Sequence, residues 1–344
     1  MKNWIARLFG VAPRRAGSPA APAGVLPAQT AAQAASSPAT PDPAAEFLPD
    51  LDSRFYCWLA GSTSIDAPPA TEALILAELA RLAHAPVRAA GLVPRVPAVI
   101  PELLRSLRDD SVSGADIARL VAQDVVLVGE VIREANSSWY RPPTPVRTIE
   151  GALILLGQNG LRMLLARVAF RPVLSMQPGR FAKQVAPHIW RQSEKCALAA
   201  STLAPTTGAD PFEAFLAGLV QNVGLIVAFR LIDQVCSDDV LPASPAFVAA
   251  LFGQARHMAH GIALHWEFPE TVAGAILEGN RPGGILLATP LAQVLSTGDR
   301  LAKLRLLVDA GAMAPDDPAV AAIVGTRLRP CYDRLADQPA AEDA

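Results

Sequence analysis

Cysteine is scarce in this sequence, and its placement excludes two common kinds of small domain. The 344-residue chain has 4 cysteines: Cys57, Cys196, Cys236 and Cys331. They lie far apart and form no CxxC pair, so neither a disulfide framework nor a zinc knuckle is predicted. Such a chain suits a reducing compartment, and we expect the protein to be cytoplasmic.

The sequence also lacks a strong charge of either sign. It has 30 lysines and arginines against 32 aspartates and glutamates, which gives a formal net charge of -2. A chain without a basic surplus has no global field that would draw it onto nucleic acid or anionic lipid. We therefore expect no nucleic-acid partner.

Long hydrophobic runs are missing as well. No stretch approaches the roughly 20 uninterrupted apolar residues that cross a bilayer. The N-terminus has a short amphipathic element with Trp4 and Phe9, but Arg7 interrupts it and no longer apolar segment follows. It is therefore not interpreted as an export signal, and no transmembrane segment is predicted.

The chain is predicted to have four parts, of which composition marks the first and the family resemblance described below sets the bounds of the third. Residues 1–45 form a predicted disordered tail with a short amphipathic start, because most of this stretch consists of small residues and proline. A helical extension at 46–91, a main domain at 92–305 and a C-terminal helix with tail at 306–344 follow. The extension and the C-terminal helix either pack on the main domain or form a homo-oligomer contact.

Apolar residues, 51% of the chain, recur at helical spacing. In segment 97–107, for example, they fall at i, i+3, i+4 and i+7, whereas sustained period-two alternation is absent from the sequence. An all-α fold of about a dozen helices is predicted. Later helices are predicted at 183–203, 211–221, 225–234, 245–265, 270–278, 290–307 and 318–335.

Local signals mark several helix ends. Thr71 is a predicted N-cap of a helix that ends near Pro86, and Ser113 with Asp116 forms a capping-box pattern. Gly157 is predicted to stop one helix in a left-handed conformation before the next helix begins.

Several motifs follow each other in an order typical of one family. They include the proline-punctuated segment 93–101, an asparagine-serine turn at 135–140 and a His-Trp-Glu-Phe-Pro segment at 265–269. On these motifs, over about residues 92–305, the chain resembles the HDOD family, the output-domain relatives of HD metal-dependent phosphohydrolases. The resemblance implies a multi-helix HDOD-like globule with a regulatory role in bacterial signal transduction.

The resemblance places a metal site where this sequence has neutral side chains. In catalytic relatives, histidines and a His-Asp pair hold one or two divalent metals that activate water. The corresponding positions here are Gln192, Gln221, Asn222, Gly279 and Asn280. Only His257 and Asp299 lie near positions of retained ligands, which is too few for a tight site. We therefore predict no metal, no cofactor and no catalysis.

Three functions of different classes follow from the resemblance. The first is a module that binds a signalling protein in trans. The second is a sensor that binds a nucleotide or cyclic dinucleotide in the former catalytic cavity, through the polar residues just named and nearby arginines. The third is a residual metal-dependent phosphohydrolase, which would depend on His257 and Asp299.

The charged candidates also have structural interpretations. His257, His260 and His265 cannot all share one helix face, so structural or solvent-facing roles are expected. Asp299 follows Thr297 in a predicted helix and is expected to face water.

The uncharged candidates have structural interpretations too. Gln221 and Asn222 would need hydrogen-bond partners if buried, so a structural network stands beside a ligand-binding role. Asn136 and Ser137 are expected to turn the chain. The arginines of stretch 141–171 are expected on a solvated helix face, with phosphate recognition as the alternative.

Overall fold

The computed structural model describes residues 47–61, 69–93, 113–122, 125–137, 140, 142–175, 178–236, 241–279 and 289–336. Thirteen helices and no strand lie within these ranges, which confirms the all-α prediction. In chain order they are α1 Leu48–Ala60, α2 Pro69–Ala83, α3 Pro86–Ala90, α4 Gly114–Val121, α5 Val125–Ala135, α6 Ile149–Ser175, α7 Phe181–Thr207, α8 Pro211–Val220, α9 Val223–Val235, α10 Pro245–His265, α11 Glu270–Glu278, α12 Pro290–Asp309 and α13 Pro318–Ala336.

Short polar residues followed by proline begin three helices of the main domain. The Asp210 carboxylate accepts the Glu213 N–H at 2.7 Å at the start of α8. Ser244 and Thr289 each accept the backbone N–H three residues later, at 3.2 Å, at the starts of α10 and α12. Each cap satisfies an N–H that has no partner within the helix, and the proline that follows has no N–H to lose. These three helices therefore begin where the sequence predicts.

Two further local predictions are confirmed. The Ser113 N–H donates to the Asp116 carboxylate at 3.1 Å and the Asp116 N–H donates to the Ser113 hydroxyl at 3.2 Å, which is a reciprocal capping box. Gly157 has φ 68° and interrupts α6, so the stretch consists of two helical segments. Glycine adopts this left-handed backbone without the cost that a Cβ would add.

The start of α2 differs from its prediction. It begins at Pro69 rather than at Thr71, because proline is well suited to a first helical turn, and Pro86 begins the separate helix α3. The helix predicted in segment 97–107 and the tail at 1–45 lie outside the described residues.

Helix α7 is the centre of the described fold, and α1, α6, α8, α9, α12 and α13 contact it. Two glycines permit the closest approaches. A Cβ on Gly218 of α8 would lie 2.5 Å from the Ala197 Cα, and one on Gly298 of α12 would lie 2.9 Å from the Cys196 carbonyl oxygen. These close crossings bring the ends of α8 and the middle of α12, which carry candidate site residues, against α7.

The N-terminus of α7 is capped from a distant part of the chain. The Asp233 carboxylate in α9 accepts the Phe181 N–H at 2.7 Å and the Ala182 N–H at 3.0 Å. The residue at the cap position, Arg180, makes no side-chain cap hydrogen bond. The N-terminal cap of α7 thus comes from a long-range contact instead of from a neighbouring residue. The Asp233 carboxylate also places a negative charge at the positive end of the helix dipole.

The helical extension packs on the main domain, which is one of the two predicted alternatives. Phe55 and Tyr56 of α1 are buried, and the Tyr56 hydroxyl donates to the Pro242 carbonyl at 2.7 Å. Arg54 donates to Asp317, just before α13, at 2.8 Å. Helix α1 contacts α7, α10 and α12, while α13 contacts α7 and α12. The extension is therefore part of the hydrophobic core.

Two described helical stretches are long and apolar enough to pass a composition test for a membrane span, Ile149–Ser175 and Pro211–Val235. In the second, 83% of its most apolar 18-residue segment is buried inside the protein, and core helices of this composition pass the same test. Such stretches are weak evidence for membrane insertion, so the absence of a transmembrane segment stays a prediction.

Candidate functional site

Amide side chains from α7 and from the turn between α8 and α9 lie around a buried carboxylate on α12. Asp299 is 7% exposed, so the prediction that it faces water is wrong. Its Oδ1 accepts N–H groups from Gln192 at 2.5 Å and from Gln221 at 3.2 Å. Asn222 donates to the Gln192 side-chain oxygen and, at 3.1 Å, to the Ser193 hydroxyl. Gln221 and Asn222 thus have the hydrogen-bond partners that buried amides require.

A lysine one helical turn after Asp299 completes the cluster. The Lys303 ammonium donates to Asp299 Oδ2 at 2.6 Å and to Asp52 Oδ1 at 2.7 Å. Asp52 belongs to α1, in the extension, and its Oδ2 lies 3.8 Å from Arg256 Nη2 of α10. We call Asp52, Arg256, Asp299 and Lys303 the ion-paired centre. It joins two helices of the main fold, α10 and α12, to α1 of the extension.

The charges of the ion-paired centre balance. Burial alone would lower the pKa of Lys303, but the carboxylates of Asp299 and Asp52 outweigh that effect and raise it above its ordinary value. Burial lowers the pKa of Arg256, against the opposing effect of Asp52 and Asp299, and a guanidinium stays protonated at neutral pH. Two positive charges therefore meet two negative charges, which is the condition for holding them together away from water.

A cleft opens beside this centre. It has about 380 Å³ of non-atom space, part of it open to solvent. Its residues come from both the polar cluster and the apolar faces of neighbouring helices: Gln221, Asn222, Leu225, Phe252, Ala255, Arg256, Ile276, Gly279, Asp299 and Lys303. Most of its accessible lining is polar, and much of its space is open to solvent, so the cleft is a shallow polar depression that could admit only a small polar group.

The structure brings together five of the seven predicted site residues and separates a sixth. Gly279 lines the cleft with the residues above, whereas His257 is exposed and its Nδ1 lies 2.9 Å from the Gly253 carbonyl oxygen. Because the preceding residue, Arg256, points into the cleft, helical geometry turns His257 away from it. His260 contacts a backbone carbonyl at 2.9 Å, as a structural histidine would. Asn280 lies outside the described residues.

The residues of this cluster do not fit the divalent metal that the fold family implies. Both oxygens of Asp299 already accept hydrogen bonds, from two amides and an ammonium. Metal ligands must offer lone pairs, and the ammonium of Lys303 offers only protons and a repelling charge. Within the described part of the chain, no group of three or more His, Cys, Asp and Glu residues is placed to hold a metal.

Sequence reasoning missed Lys303, Asp52 and Arg256. The i, i+4 spacing of Asp299 and Lys303 was a usable signal for that ion pair. Asp52 is separated from Lys303 by 251 positions, and no local pattern indicates such a pairing.

A second buried ion cluster lies between α5, α6 and α7. Arg167 donates to Glu134 and to Glu194, and its side chain is 13% exposed. Burial raises the pKa of Glu194, and the charge of Arg167 counteracts the rise. The expectation of a solvated face is thus wrong for Arg167, and also for Arg162, which is 5% exposed; Arg147 is exposed as expected.

Asn136 fixes the turn after α5. Its side-chain amide accepts the Val146 N–H and donates to the Val146 carbonyl, each at 2.7 Å. Its Nδ2 also donates to the Ile132 carbonyl, and the Ser137 hydroxyl lies 3.5 Å from Glu134. The turn-forming role predicted for this asparagine is confirmed.

Comparison with known proteins agrees with this architecture. A family model described as the HDOD domain matches residues 93–282, more than half of the chain. An uncharacterized protein from Treponema pallidum (strain Nichols) is 26% identical over 195 residues, which are 54% of this chain and 37% of that relative. The matched part thus spans little more than a third of the relative's length.

Solved structures share the fold. An HDOD domain protein of unknown function from Geobacter sulfurreducens has 21% identity and a TM-score of 0.51, covering 74% of this chain and 97% of its own. A candidate phosphohydrolase from Shewanella amazonensis SB2B has 23% identity and a TM-score of 0.52, and the match covers 73% of this chain and 93% of that protein. A candidate signal transduction protein from Marinobacter aquaeolei VT8 has 18% identity and a TM-score of 0.52, and the match covers 83% of this chain and 63% of that protein. At these identities the likeness concerns the fold alone.

Proposed function

The chain belongs to the HDOD domain family, and from that premise we propose that it is a non-catalytic regulatory module of bacterial signal transduction that binds another protein. The observation that carries the proposal is the ion-paired centre. Lys303 neutralises Asp299 at the position where catalytic relatives need a metal ligand. Metal-assisted hydrolysis requires an intact ligand set, and this set is replaced by hydrogen-bond donors.

Exposed apolar side chains on two contacting helices support a binding role. Val125 and Val126 at the start of α5 are 83% and 75% exposed, and Ile154 of α6 is 86% exposed. We take these three side chains as candidate contact residues, because binding a partner would remove them from water. All four cysteines are free, which suits a cytoplasmic pathway.

Affinity capture with matched surface variants tests the binding role. The full chain is immobilised, incubated with native lysate of the source cells, and the bound proteins are quantified by mass spectrometry. We expect a reproducible partner whose recovery falls about tenfold in Val126→Ser/Ile154→Ser, as for a binding hot spot. Leu74→Ser, which changes an exposed leucine of α2, is the control and should leave recovery unchanged. Failure to recover any reproducible partner would count against the proposal.

The non-catalytic part has its own test. The metal content of the purified wild type and of Asp299→Asn is measured by inductively coupled plasma mass spectrometry, together with phosphatase turnover in added Mn²⁺. We expect metal far below one equivalent and no turnover that depends on Asp299. Near-stoichiometric metal that is lost in the variant would overturn this part.

The cleft favours a second candidate function, a nucleotide or cyclic-dinucleotide sensor. Arg256 and Lys303 place two cations in an otherwise partly apolar wall, which suits a phosphate ester. Calorimetry of the wild type against a nucleotide panel tests this function, and an unchanged heat signal across the panel would remove it.

A further inference from the structure

Four consecutive polar side chains lie in the middle of α7, inside the protein. Gln192 and Ser193 are each 0% exposed, while Glu194 is 7% exposed and Lys195 is 3% exposed. Successive side chains of a helix point about 100° apart, so neighbouring positions face different helices. Buried amide and charged groups need partners, and a helix that carries four of them in a row is therefore tied to several neighbours at once.

We propose that α7 couples the ion-paired centre to the α5–α6 surface, so that a change at Asp52 alters the surface that a partner would contact. The α5–α6 surface consists of the exposed side chains of Val125, Val126 and Ile154. The inference rests on the proposed function only for the role of this surface. The coupling itself is a property of the folded chain and is measured without a partner.

On one side of α7, polar contacts run without a gap from the extension to Gln192. The Lys303 ammonium donates to Asp52 of α1 at 2.7 Å and to Asp299 at 2.6 Å. The Asp299 carboxylate in turn accepts an N–H from Gln192 at 2.5 Å. Two side chains, Lys303 and Asp299, therefore separate the extension from the middle of α7.

On the other side of α7, an ion cluster connects Glu194 to the two helices of the α5–α6 surface. Arg167 of α6 donates to Glu194 and to Glu134 of α5. The side chains of Arg167 and Glu134 are 13% and 10% exposed. The same two helices carry Val126 on α5 and Ile154 on α6. The helices that expose the apolar side chains are therefore the ones that this cluster ties to Glu194.

Burial makes the two sides interdependent. Polar contacts in a low-dielectric interior polarise one another, and the effects of substitutions within one such network are commonly non-additive. Gln192 and Glu194 are two positions apart on one helix, so a shift of α7 that relieves one cluster strains the other. The close contacts of Gly218 and Gly298 with α7 leave little room for the helix to absorb such a shift.

Asp52 is the more accessible end of the contacts that lead from the extension. Its side chain is 26% exposed, whereas that of Lys303 is 3% exposed. It lies in α1, before residue 93, where the match to the family model begins. The extension is therefore the place where a signal would act on the family domain, and the α5–α6 surface is where the effect would be read.

Native-state hydrogen exchange of the full chain, followed by mass spectrometry, tests the inference. The proteins compared are the wild type, Asp52→Asn, Glu194→Gln, the double variant Asp52→Asn/Glu194→Gln, and the control Asp50→Asn. The control removes an equal charge from α1 at a side chain that is 52% exposed and paired with Arg54. Circular dichroism verifies that each variant folds. If Glu194→Gln does not fold, Arg167→Lys replaces it, because lysine lacks the fork that holds two carboxylates.

We expect the α5 amides of residues 131–135 to exchange about threefold or more faster in Asp52→Asn than in Asp50→Asn. On the Glu194→Gln background, Asp52→Asn should have no further effect on these amides, because the connection to α5 is already cut. Equal α5 exchange in Asp52→Asn and Asp50→Asn would overturn the inference. So would an acceleration of the same size on both backgrounds, which indicates a general loss of stability.

The capture experiment of the proposed function can fail independently of this inference. Coupled exchange together with no reproducible partner would retain the coupling and remove the binding role. A partner whose recovery depends on Val126 and Ile154, together with equal α5 exchange in Asp52→Asn and Asp50→Asn, would do the reverse.

Discussion

Replacement of Lys303 by methionine would remove the cation from between two carboxylates. The Lys303 ammonium lies 2.6 Å from Asp299 and 2.7 Å from Asp52, and its side chain is 3% exposed. Removal of one partner of a buried ion pair costs roughly 3–5 kcal/mol, because the remaining charge is left uncompensated. We expect the free energy of unfolding of Lys303→Met, measured by urea titration, to fall by about that amount.

The matched control is the double variant Lys303→Met/Asp299→Asn. It replaces the stranded carboxylate by a neutral amide, so most of the lost stability should return. A single variant as stable as the wild type would refute the role of Lys303 as a counter-ion. So would a double variant that is as unstable as the single one.

The single variant Lys303→Met should also be stabilised by divalent cations. Without the ammonium, the carboxylates of Asp52 and Asp299 share a space that a cation previously filled. A ligand that binds only the folded state stabilises it by roughly 1.4 kcal/mol at ten times its Kd. We expect Mn²⁺ to raise the melting temperature of Lys303→Met and to leave the wild type unchanged. An equal rise in the wild type would contradict the claim that Lys303 occupies the cation position.

Three further outcomes are expected. Burial lowers the pKa of Lys195 to about 8 from an ordinary 10.5, so the unfolded chain binds more protons between these values and stability rises with pH across that window. The free energy of unfolding should rise by up to roughly 3 kcal/mol across this pH window, and the rise should be absent in Lys195→Met. If urea titrations gave the two proteins the same dependence of stability on pH, the prediction would be contradicted. A Cβ on Gly224 would overlap the Ala255 carbonyl oxygen, so Gly224→Ala should cost about 1–3 kcal/mol or more in thermal unfolding, whereas Gly253→Ala, with open space around it, should not. Asp233→Ala should cost about 1–2 kcal/mol through loss of the α7 cap, and unchanged hydrogen exchange at the first turn of α7 would argue against that role.

The helices were predictable because their ends are encoded locally. The starts of α8, α10 and α12 follow from a short polar residue and a proline, and the interruption of α6 follows from Gly157. The start of α7 has no such signal, since its cap comes from Asp233 in another helix.

The site was predictable only in part. The resemblance indicated Gln192, Gln221 and Asp299, and the structure places these three in hydrogen-bond contact. It gave no indication of the cations, although the i, i+4 spacing of Asp299 and Lys303 was a local signal for one pair; the contacts of Lys303 and Arg256 with Asp52 join different helices. The same reason explains the wrong expectation for Arg167, whose carboxylate partners lie on α5 and α7.

The family match begins at residue 93, but the ion-paired centre already includes Asp52. The segment that the family model matches and the segment that folds as a unit therefore have different N-terminal borders. A fragment cut at the shared border would leave Lys303 with half of its counter-charge and would expose the surface of α7 that α1 covers. The contact between positions 52 and 303 predicts that homologues of this chain change the two positions together, although 251 positions separate them.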